Sequence, residues 1–234
     1  MSDSIITVEG LSKSYGKNLV LDDLTFELPK GEIIGLLGPN GCGKTTFMKI
    51  LTGIIHDYSG EVLIDGHKIG IQTKAMTAYI PERIYLAEWF KTKDAIDYFA
   101  DFFVDFDKNK AIEFTKRFNL DINQKIKTMS KGMQEKVQLL LVMSRAAKLY
   151  VLDEPLGGVD PASRAGILDI IMKNYAKNST LLLSTHLVND LEQAFNHVIM
   201  LGGGKVLFND SINAIKEQGI SVEDKFRAVF ANVW

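Results

Sequence analysis

The sequence predicts an α/β fold with a mainly parallel sheet, and two observations support this prediction. Short apolar runs typical of buried strands alternate with helix-like runs through much of the chain. One apolar run, at 33–37, leads directly into a glycine-rich loop, and a helix-like run follows that loop. A strand, loop and helix in this order turn backbone N–H groups and a helix N-terminus toward an anion, so an anion-binding site is also indicated.

The first third of the chain is predicted to consist mainly of short strands and turns. Pro29-Lys30-Gly31-Glu32 favours a turn between two of these strands. We expect the N-terminal strands to form an antiparallel β subdomain beside the parallel core. The predicted elements are strands at 5–8, 24–28, 33–37, 61–64 and 77–80 and a helix at 45–52.

The pattern changes near Pro81, after which aromatic and aliphatic residues recur at helical spacing. We interpret this stripe as the core of a helical lobe, and a second helical region is predicted at 129–147. The stripe comprises Ile96, Phe99, Phe103, Phe106, Ile112, Phe114 and Phe118. Alternation then resumes, with strands predicted at 149–152, 181–184, 198–201 and 205–208 and helices at 162–175 and 187–195.

These patterns predict one domain over residues 1–234. Its core is expected to comprise approximately 1–81 and 149–234, because strands alternate with helices only in these parts. The helical stretch at approximately 82–148 interrupts that alternation, so we expect it to form an inserted α-helical subdomain.

Composition excludes several classes of protein. A net charge of −2 gives no overall field for nucleic acid, so no nucleic-acid partner is expected. A single cysteine excludes an internal disulfide and favours a reducing compartment. No apolar run approaches the roughly 20 residues of a membrane span, and the N-terminus lacks the features of a secretory signal. We therefore expect a cytoplasmic protein that reaches the membrane only through a partner.

The glycine-rich loop is the most specific motif in the chain. Gly38-Pro39-Asn40-Gly41-Cys42-Gly43-Lys44-Thr45-Thr46 matches the phosphate-binding pattern G-x-x-x-x-G-K-[ST] at every fixed position. Lys44 is expected to bridge the β- and γ-phosphates of a nucleotide, and Thr45 to place its hydroxyl on Mg²⁺. The alternative is a glycine-rich turn that contains a lysine by coincidence. Cys42 is either a small residue that fits the loop or a thiol whose pKa the helix N-terminus lowers.

Two later strands are predicted to end in polar side chains. The apolar run at 149–152 leads into Asp153 and Glu154, which are suited to holding Mg²⁺ through water and to activating a water molecule. Without the phosphate loop, this pattern would fit a strand that enters a solvated turn. The run at 181–184 leads similarly to His186, which is either structural or a contact for the γ-phosphate.

Two further residues or segments have alternative interpretations. Ser130 is a good N-cap for the helix that follows, or it forms with Gly132 a second phosphate-binding edge. Tyr15 is either a core aromatic residue or a platform for an adenine ring.

Taken together, these motifs resemble the nucleotide-binding subunit of an ABC transporter over nearly the whole chain. The resemblance implies a P-loop NTPase core that binds ATP and Mg²⁺ and hydrolyses ATP. It identifies Tyr15 as the adenine-stacking aromatic residue and Gly38 to Thr46 as the Walker A motif. Asp153 would end the Walker B strand, Glu154 would be the catalytic glutamate, and Glu82 would be the Q-loop residue and a metal ligand. Ser130 and Gly132 would be signature residues, Asp160 the D-loop residue and His186 the switch histidine.

The resemblance also implies partners. Two such subunits, identical or different, are expected to pair head to tail around ATP, on the inner face of the membrane beside an integral membrane permease. The Ser-Lys-Gly-Met signature and Glu82 in place of glutamine are similar to the exporter branch with ABC-2-type permeases. The alternatives are a soluble ABC-type ATPase acting on ribosomes or DNA and a P-loop small-molecule kinase.

Two apolar segments are candidates for contact surfaces. The run containing Ile84, Tyr85, Leu86 and Trp89 either caps the helical lobe or receives a short helix of the permease. A C-terminal helical face is expected to pack on the chain's own domain in preference to another subunit. That face contains Val222, Phe226, Val229, Phe230 and Val233.

Overall fold

A computed structural model of the chain describes residues 3–157, 161–175, 177–185 and 192–231. The strands in these ranges are β1 (Ser4–Tyr15), β2 (Asn18–Pro29), β3 (Ile33–Leu37), β4 (Ser59–Ile64), β5 (His67–Lys68), β6 (Thr77–Ile80), β7 (Leu149–Asp153), β8 (Thr180–Ser184), β9 (His197–Gly202) and β10 (Lys205–Ser211). An antiparallel sheet has the strand order β2-β1-β4-β5, and a second sheet has the order β10-β9-β3-β8-β7-β6. The second sheet is parallel except for β10, so the predicted fold class is confirmed.

The helices are α1 (Lys44–Leu51), α2 (Ile71–Met76), α3 (Thr92–Phe102), α4 (Lys108–Arg117), α5 (Lys131–Met143), α6 (Pro161–Asn174), α7 (Ile212–Glu217) and α8 (Val222–Phe230). Short 3-10 helices lie at Ile126–Thr128 and Glu192–Ala194. Within the described ranges, no helix is both long enough and apolar enough to cross a membrane.

Most predicted elements are present, with different lengths. The hairpin of β1 and β2 is much longer than predicted. Exposed polar residues alternate with buried apolar residues along it, so short apolar runs alone did not indicate its full length. The sequence interpretation missed α2 and β5, which are short and weakly patterned. Of the helix predicted at 187–195, residues 187–191 lie outside the described part, and the end of it is a 3-10 helix.

Two hydrophobic cores lie on opposite faces of the larger sheet. One core contains α1 and the antiparallel sheet, and the other contains the apolar sides of α3 to α6. The predicted helical stripe packs into the second core, with Phe99 and Phe114 buried there. The C-terminal helix α8 also packs on this core through Phe226 and Phe230, as expected, whereas Val233 lies outside the described residues.

Arg145 ties the helical region to the edge of the larger sheet. Its guanidinium donates to Asp105 Oδ1 at 3.0 Å, to the Thr77 carbonyl at 2.7 Å and to the Ala75 carbonyl at 2.6 Å. It also lies 3.9 Å from the centre of the Phe103 ring. The side chain is almost fully buried, so these partners are needed to offset the loss of its hydration.

Replacing Arg145 by alanine should lower the free energy of unfolding by about 3 kcal/mol, because Asp105 and two carbonyls then lose a buried donor. Denaturant unfolding measures this change. Lys173→Ala is the matched control, since it breaks an exposed pair with Asp169 and should cost about 0.5 kcal/mol or less. Equal effects of the two substitutions would contradict this interpretation.

Candidate functional site

The phosphate-loop motif forms the connection between β3 and α1. Gly38 and Gly43 have φ angles of 154° and 107°, which side chains disfavour. A Cβ atom on Gly38 would lie 2.2 Å from the Leu201 carbonyl oxygen, and one on Gly43 would lie 2.6 Å from Leu21. Glycine is therefore required at both positions by backbone conformation and by space.

Lys44 begins α1 and keeps its ammonium group inside the loop. Its Nζ donates to the carbonyl oxygens of Gly38 at 2.7 Å and Pro39 at 3.1 Å, and only 7% of the residue is exposed. Thr45 and Thr46 follow in the first turn of the helix, where both are partly exposed. The loop thus presents a fixed positive charge and two hydroxyl groups at one helix N-terminus.

Cys42 is a packing residue of this loop. Its side chain is buried, and its backbone N–H donates to the Pro39 carbonyl at 3.3 Å. Burial raises the pKa of the Cys42 thiol, and this effect outweighs the opposite influence of the Lys44 charge. The alternative in which the helix N-terminus makes Cys42 an acidic, reactive thiol is therefore wrong.

The end of β7 carries the two candidate carboxylates. Asp153 is 1% exposed, and its Oδ1 accepts a hydrogen bond of 2.7 Å from the hydroxyl of Ser184. The same hydroxyl accepts a hydrogen bond of 3.0 Å from the backbone N–H of Glu154. Asp153 and Ser184 are partners in the β7–β8 ladder, so the strand register creates this junction.

The sequence interpretation had not assigned a role to Ser184. The sequence signal that could have identified Ser184 is its place as a polar residue directly after the three leucines of β8. Because that strand lies beside β7, its last residue meets the last residue of β7 at the same edge of the sheet.

Glu154 has an unusual backbone conformation for a residue with a side chain. Its φ angle of 49° lies in the left-handed region, and its carbonyl accepts a hydrogen bond of 3.1 Å from the Gly157 N–H. Such a conformation costs about 1–3 kcal/mol and is common at functional sites. The turn sends the chain away from the sheet directly after Asp153, and the Glu154 side chain lines the same pocket as Lys44.

One pocket of about 290 Å³ brings most of the candidate residues together. It is lined by Val20, Asn40, Gly41, Gly43, Lys44, Thr45, Thr46, Glu82, Asp153 and Glu154. Val20 was not anticipated, because it is an apolar residue of β2 without a motif. Glu82 enters from the segment that follows β6, so three carboxylates and one lysine share this pocket.

Other candidates lie apart from this pocket. Tyr15 ends β1 and is half exposed, with the Lys13 ammonium 4.7 Å from the centre of its ring. Ser130 is exposed and caps α5, accepting a hydrogen bond of 3.3 Å from the Met133 N–H. Gly132 follows in the first turn of that helix, and an added Cβ there would meet nothing within 4 Å. His186 and Asp160 lie outside the described residues.

The pocket contains oxygen groups suited to a hard divalent cation. Oδ2 of Asp153 is buried and has no hydrogen-bond partner, and the Thr45 hydroxyl belongs to the same pocket. In the described part of the chain, no three His, Cys, Asp or Glu side chains are close enough together to hold a metal ion by themselves. A cation here would therefore need ligands from a phosphate group or from water.

Cys42 is the only cysteine of the chain, so thiol alkylation reports on the loop alone. Because burial raises its pKa, less thiolate is present near neutral pH than for an ordinary thiol. Iodoacetamide should therefore label the native protein much more slowly than the denatured protein at pH 7, and the rate should still rise above pH 9. A labelling rate that levels off between pH 6 and pH 8 would contradict the raised pKa.

Known proteins resemble this chain in sequence and in fold. It is 36% identical over 219 residues to an uncharacterized ABC transporter ATP-binding protein of Methanocaldococcus jannaschii, covering 90% of this chain and 79% of that protein. It is 27% identical to the lantibiotic transport ATP-binding protein SrtF of Streptococcus pyogenes, covering 87% and 89% of the two chains. A solved structure of the ATP-binding subunit of an ABC transporter superposes with a TM-score of 0.87 at 26% identity, covering 97% and 99%.

The match to a family model agrees with these relatives. The model described as ABC transporter matches residues 21–157, which include the phosphate loop, the start of α5 and both carboxylates at the end of β7. These matched residues are more than half of the chain. The chain therefore belongs to the family of ABC transporter ATP-binding domains, which bind and hydrolyse ATP.

Proposed function

We propose that this chain is the ATP-hydrolysing subunit that powers substrate export through a separate membrane permease. The observation that carries the proposal is the meeting of Lys44, Thr45, Asp153 and Glu154 in one pocket. A cationic phosphate loop opposite a pair of carboxylates supplies what transfer of a phosphoryl group to water needs, namely charge neutralisation and an oriented nucleophile.

The proposed roles follow from the chemistry of each group. Backbone N–H groups of the loop at 38–46 hold the phosphates, and Lys44 supplies positive charge to the β- and γ-phosphates. Glu154 orients the attacking water and accepts its proton. His186 is proposed to contact the γ-phosphate, and Tyr15 to offer the exposed part of its ring to the adenine.

Mg²⁺ is the cation proposed for this pocket. The unpaired Oδ2 of Asp153 supports it, because a buried carboxylate oxygen without a donor favours a cation or its bound water. Thr45 and Glu82 would hold it together with Asp153 and the phosphates. When bound, the cation would neutralise charge on the transferred phosphoryl group.

A second ATPase subunit is proposed to complete the site. Ser130 and Gly132 lie at the exposed N-terminus of α5 and do not line the pocket of their own chain. A helix N-terminus with an exposed serine can bind phosphate presented by another molecule. We infer that these residues contact ATP held by the partner, in a dimer of identical or different subunits. Asp160 is proposed to be the D-loop residue of that dimer.

The permease is proposed to dock in an apolar groove of about 480 Å³ next to the nucleotide pocket. Its aromatic wall consists of Tyr79, Tyr85, Tyr98, Phe99, Phe102 and Phe103. Tyr85 and Phe102 remain 48% and 66% exposed, and Trp89, which follows Tyr85 in the same segment, is 76% exposed. Exposed aromatic side chains around a concave surface are typical of a protein contact site, and they fit a short permease segment with apolar side chains.

Charge adds a further requirement for that segment. Lys49 and Lys74 line the groove, and neither has a carboxylate partner in the described part of the chain. Arg145, the third cation of the groove, is already paired with Asp105. A docking segment that carries a carboxylate toward the two lysines would therefore gain both affinity and a defined orientation.

Export is the direction that the sequence features favour. The signature of this chain contains Lys131 and Met133, and Glu82 stands where glutamine is usual, as in the exporter branch. SrtF, one of the relatives, is named for lantibiotic transport. We propose the same class of task for this chain, with a substrate determined by the permease.

The hydrolytic role is tested by Glu154→Gln, which removes the proposed base and keeps the size of the side chain. ATP turnover should fall about a hundredfold or more, while ATP binding is retained. The variant should also form a more stable ATP-dependent dimer, because hydrolysis no longer releases it. Lys44→Ala is the contrasting variant and should weaken ATP binding itself. Turnover close to that of the wild type in Glu154→Gln would refute the assignment.

The docking role is tested by Tyr85→Ala and Lys74→Glu in the tagged chain, purified from its native membranes. Recovery of a multi-spanning membrane protein should fall for both variants, while ATP hydrolysis by the isolated subunit is unchanged. Lys216→Glu, an equal charge reversal on an exposed face of α7, is the control. Undiminished recovery with both groove variants would place the docking surface elsewhere, and a parallel loss of ATPase activity would mean that the residues serve the fold.

A further inference from the structure

Two of the buried side-chain atoms that lack hydrogen-bond partners lie on the neighbouring strands β6 and β7 of the larger sheet. They are the hydroxyl oxygen of Tyr79 in β6 and Oδ2 of Asp153 in β7. Other polar groups of the site are satisfied, including Oδ1 of Asp153 and the Lys44 ammonium. Because buried polar groups are nearly always hydrogen-bonded, two unpaired atoms on neighbouring strands need an explanation.

Strand register places both side chains on the same face of the larger sheet. Tyr79 is the ladder partner of Val151, and Asp153 lies two residues after Val151 on the same face of the sheet. The Tyr79 ring belongs to the same core as Val151, while Tyr150 faces the opposite core. Burial, and then the charges of Asp153 and Glu82, raise the pKa of Tyr79, so the hydroxyl keeps its proton and lies within electrostatic range of both carboxylates.

We propose that Tyr79 is a positioning residue for the divalent cation of the nucleotide site, because its hydroxyl and Oδ2 of Asp153 together hold a water molecule bound to that cation. This inference rests on the proposed nucleotide site. A metal-bound water has two protons to donate. Asp153 accepts one and the phenolic oxygen accepts the other, while the Tyr79 O–H donates to the carboxylate of Glu82.

The arrangement gives Glu82 a defined task. Glu82 lines the pocket and is exposed, so on its own it has many side-chain conformations. A hydrogen bond from Tyr79 would restrict that carboxylate to the side of the pocket where Asp153 lies. The water and the cation would then meet a prearranged set of oxygen atoms, which is the usual contribution of groups that contact metal ligands.

Tyr79→Phe tests the proposal because it removes one oxygen and leaves the ring. Mn²⁺ binding, measured by electron paramagnetic resonance with a non-hydrolysable ATP analogue, should weaken about tenfold or more. Affinity for the analogue in EDTA should be unchanged, because the phosphate loop is intact. The unfolding midpoint without metal or nucleotide should stay the same or rise, because a buried unpaired hydroxyl is removed.

Tyr150→Phe is the matched control in the adjacent strand. The hydroxyl of Tyr150 donates to the Arg145 carbonyl at 2.5 Å, in the core on the other face of the sheet. Its loss should lower the unfolding midpoint and leave Mn²⁺ affinity unchanged. Tyr79→Phe is therefore expected to change Mn²⁺ affinity without lowering the unfolding midpoint, and Tyr150→Phe to do the reverse. If both tyrosines only stabilised the fold, both variants would lower the unfolding midpoint.

The outcomes separate this inference from the proposed function. If the wild type binds Mn²⁺ with the analogue and Tyr79→Phe binds it equally well, the role of Tyr79 is refuted and the nucleotide site stands. If Tyr79→Phe weakens analogue binding equally in EDTA and lowers the unfolding midpoint, Tyr79 serves the fold and the inference is again refuted. If the wild type binds no Mn²⁺ with the analogue, both the cation site and this role are refuted.

Discussion

The burial of β7 on both faces is the constraint on which the rest of the structure depends. Leu149 and Val151 pack into one core, and Tyr150 and Leu152 pack into the other, so the strand can lie only between the two layers. Because the next residue is Asp153, the same packing carries a carboxylate into the interior. An unpaired buried charge costs several kcal/mol, and the Ser184 hydroxyl offsets part of that cost by donating to Oδ1.

The neighbours of β7 determine the rest of the site. Parallel strands end at a common edge, so β8 brings Ser184 to the carboxylates on one side and β6 brings the segment with Glu82 on the other. The phosphate loop follows β3, which pairs with the far side of β8. Residues more than 100 positions apart, such as Lys44 and Glu154, thereby line one pocket. Glu154 can keep its left-handed backbone conformation because β7, which precedes it, is held by pairing with β6 and β8.

Local patterns were sufficient to predict much of this arrangement. The phosphate loop, the carboxylates after β7 and the fold class follow from residue types at short spacing, which the sequence displays directly. Ser184, Tyr79 and the pairing of Arg145 with Asp105 were not predictable in the same way. Each of these features depends on which strand or helix is its neighbour in space. For the strand residues it also depends on the register, because a shift of one residue would turn the side chain to the opposite face of the sheet. The two interpretations of Cys42 could not be separated from the sequence for a related reason, since the burial that raises the pKa of its thiol depends on packing.

If the permease docks in the proposed groove, Tyr79 is the residue that would link that groove to the nucleotide site. Its ring lines the groove proposed for the permease, and its hydroxyl lies within electrostatic range of Asp153 and Glu82. β6 is an edge strand of four residues with one ladder partner, so it is held less firmly than the central strands. Arg145 binds the carbonyl of Thr77 and anchors the beginning of that strand. Displacement by a docked segment would therefore concentrate at the end of β6, where Tyr79 and the segment leading to Glu82 lie. It would alter the geometry around the proposed cation site without disturbing the phosphate loop.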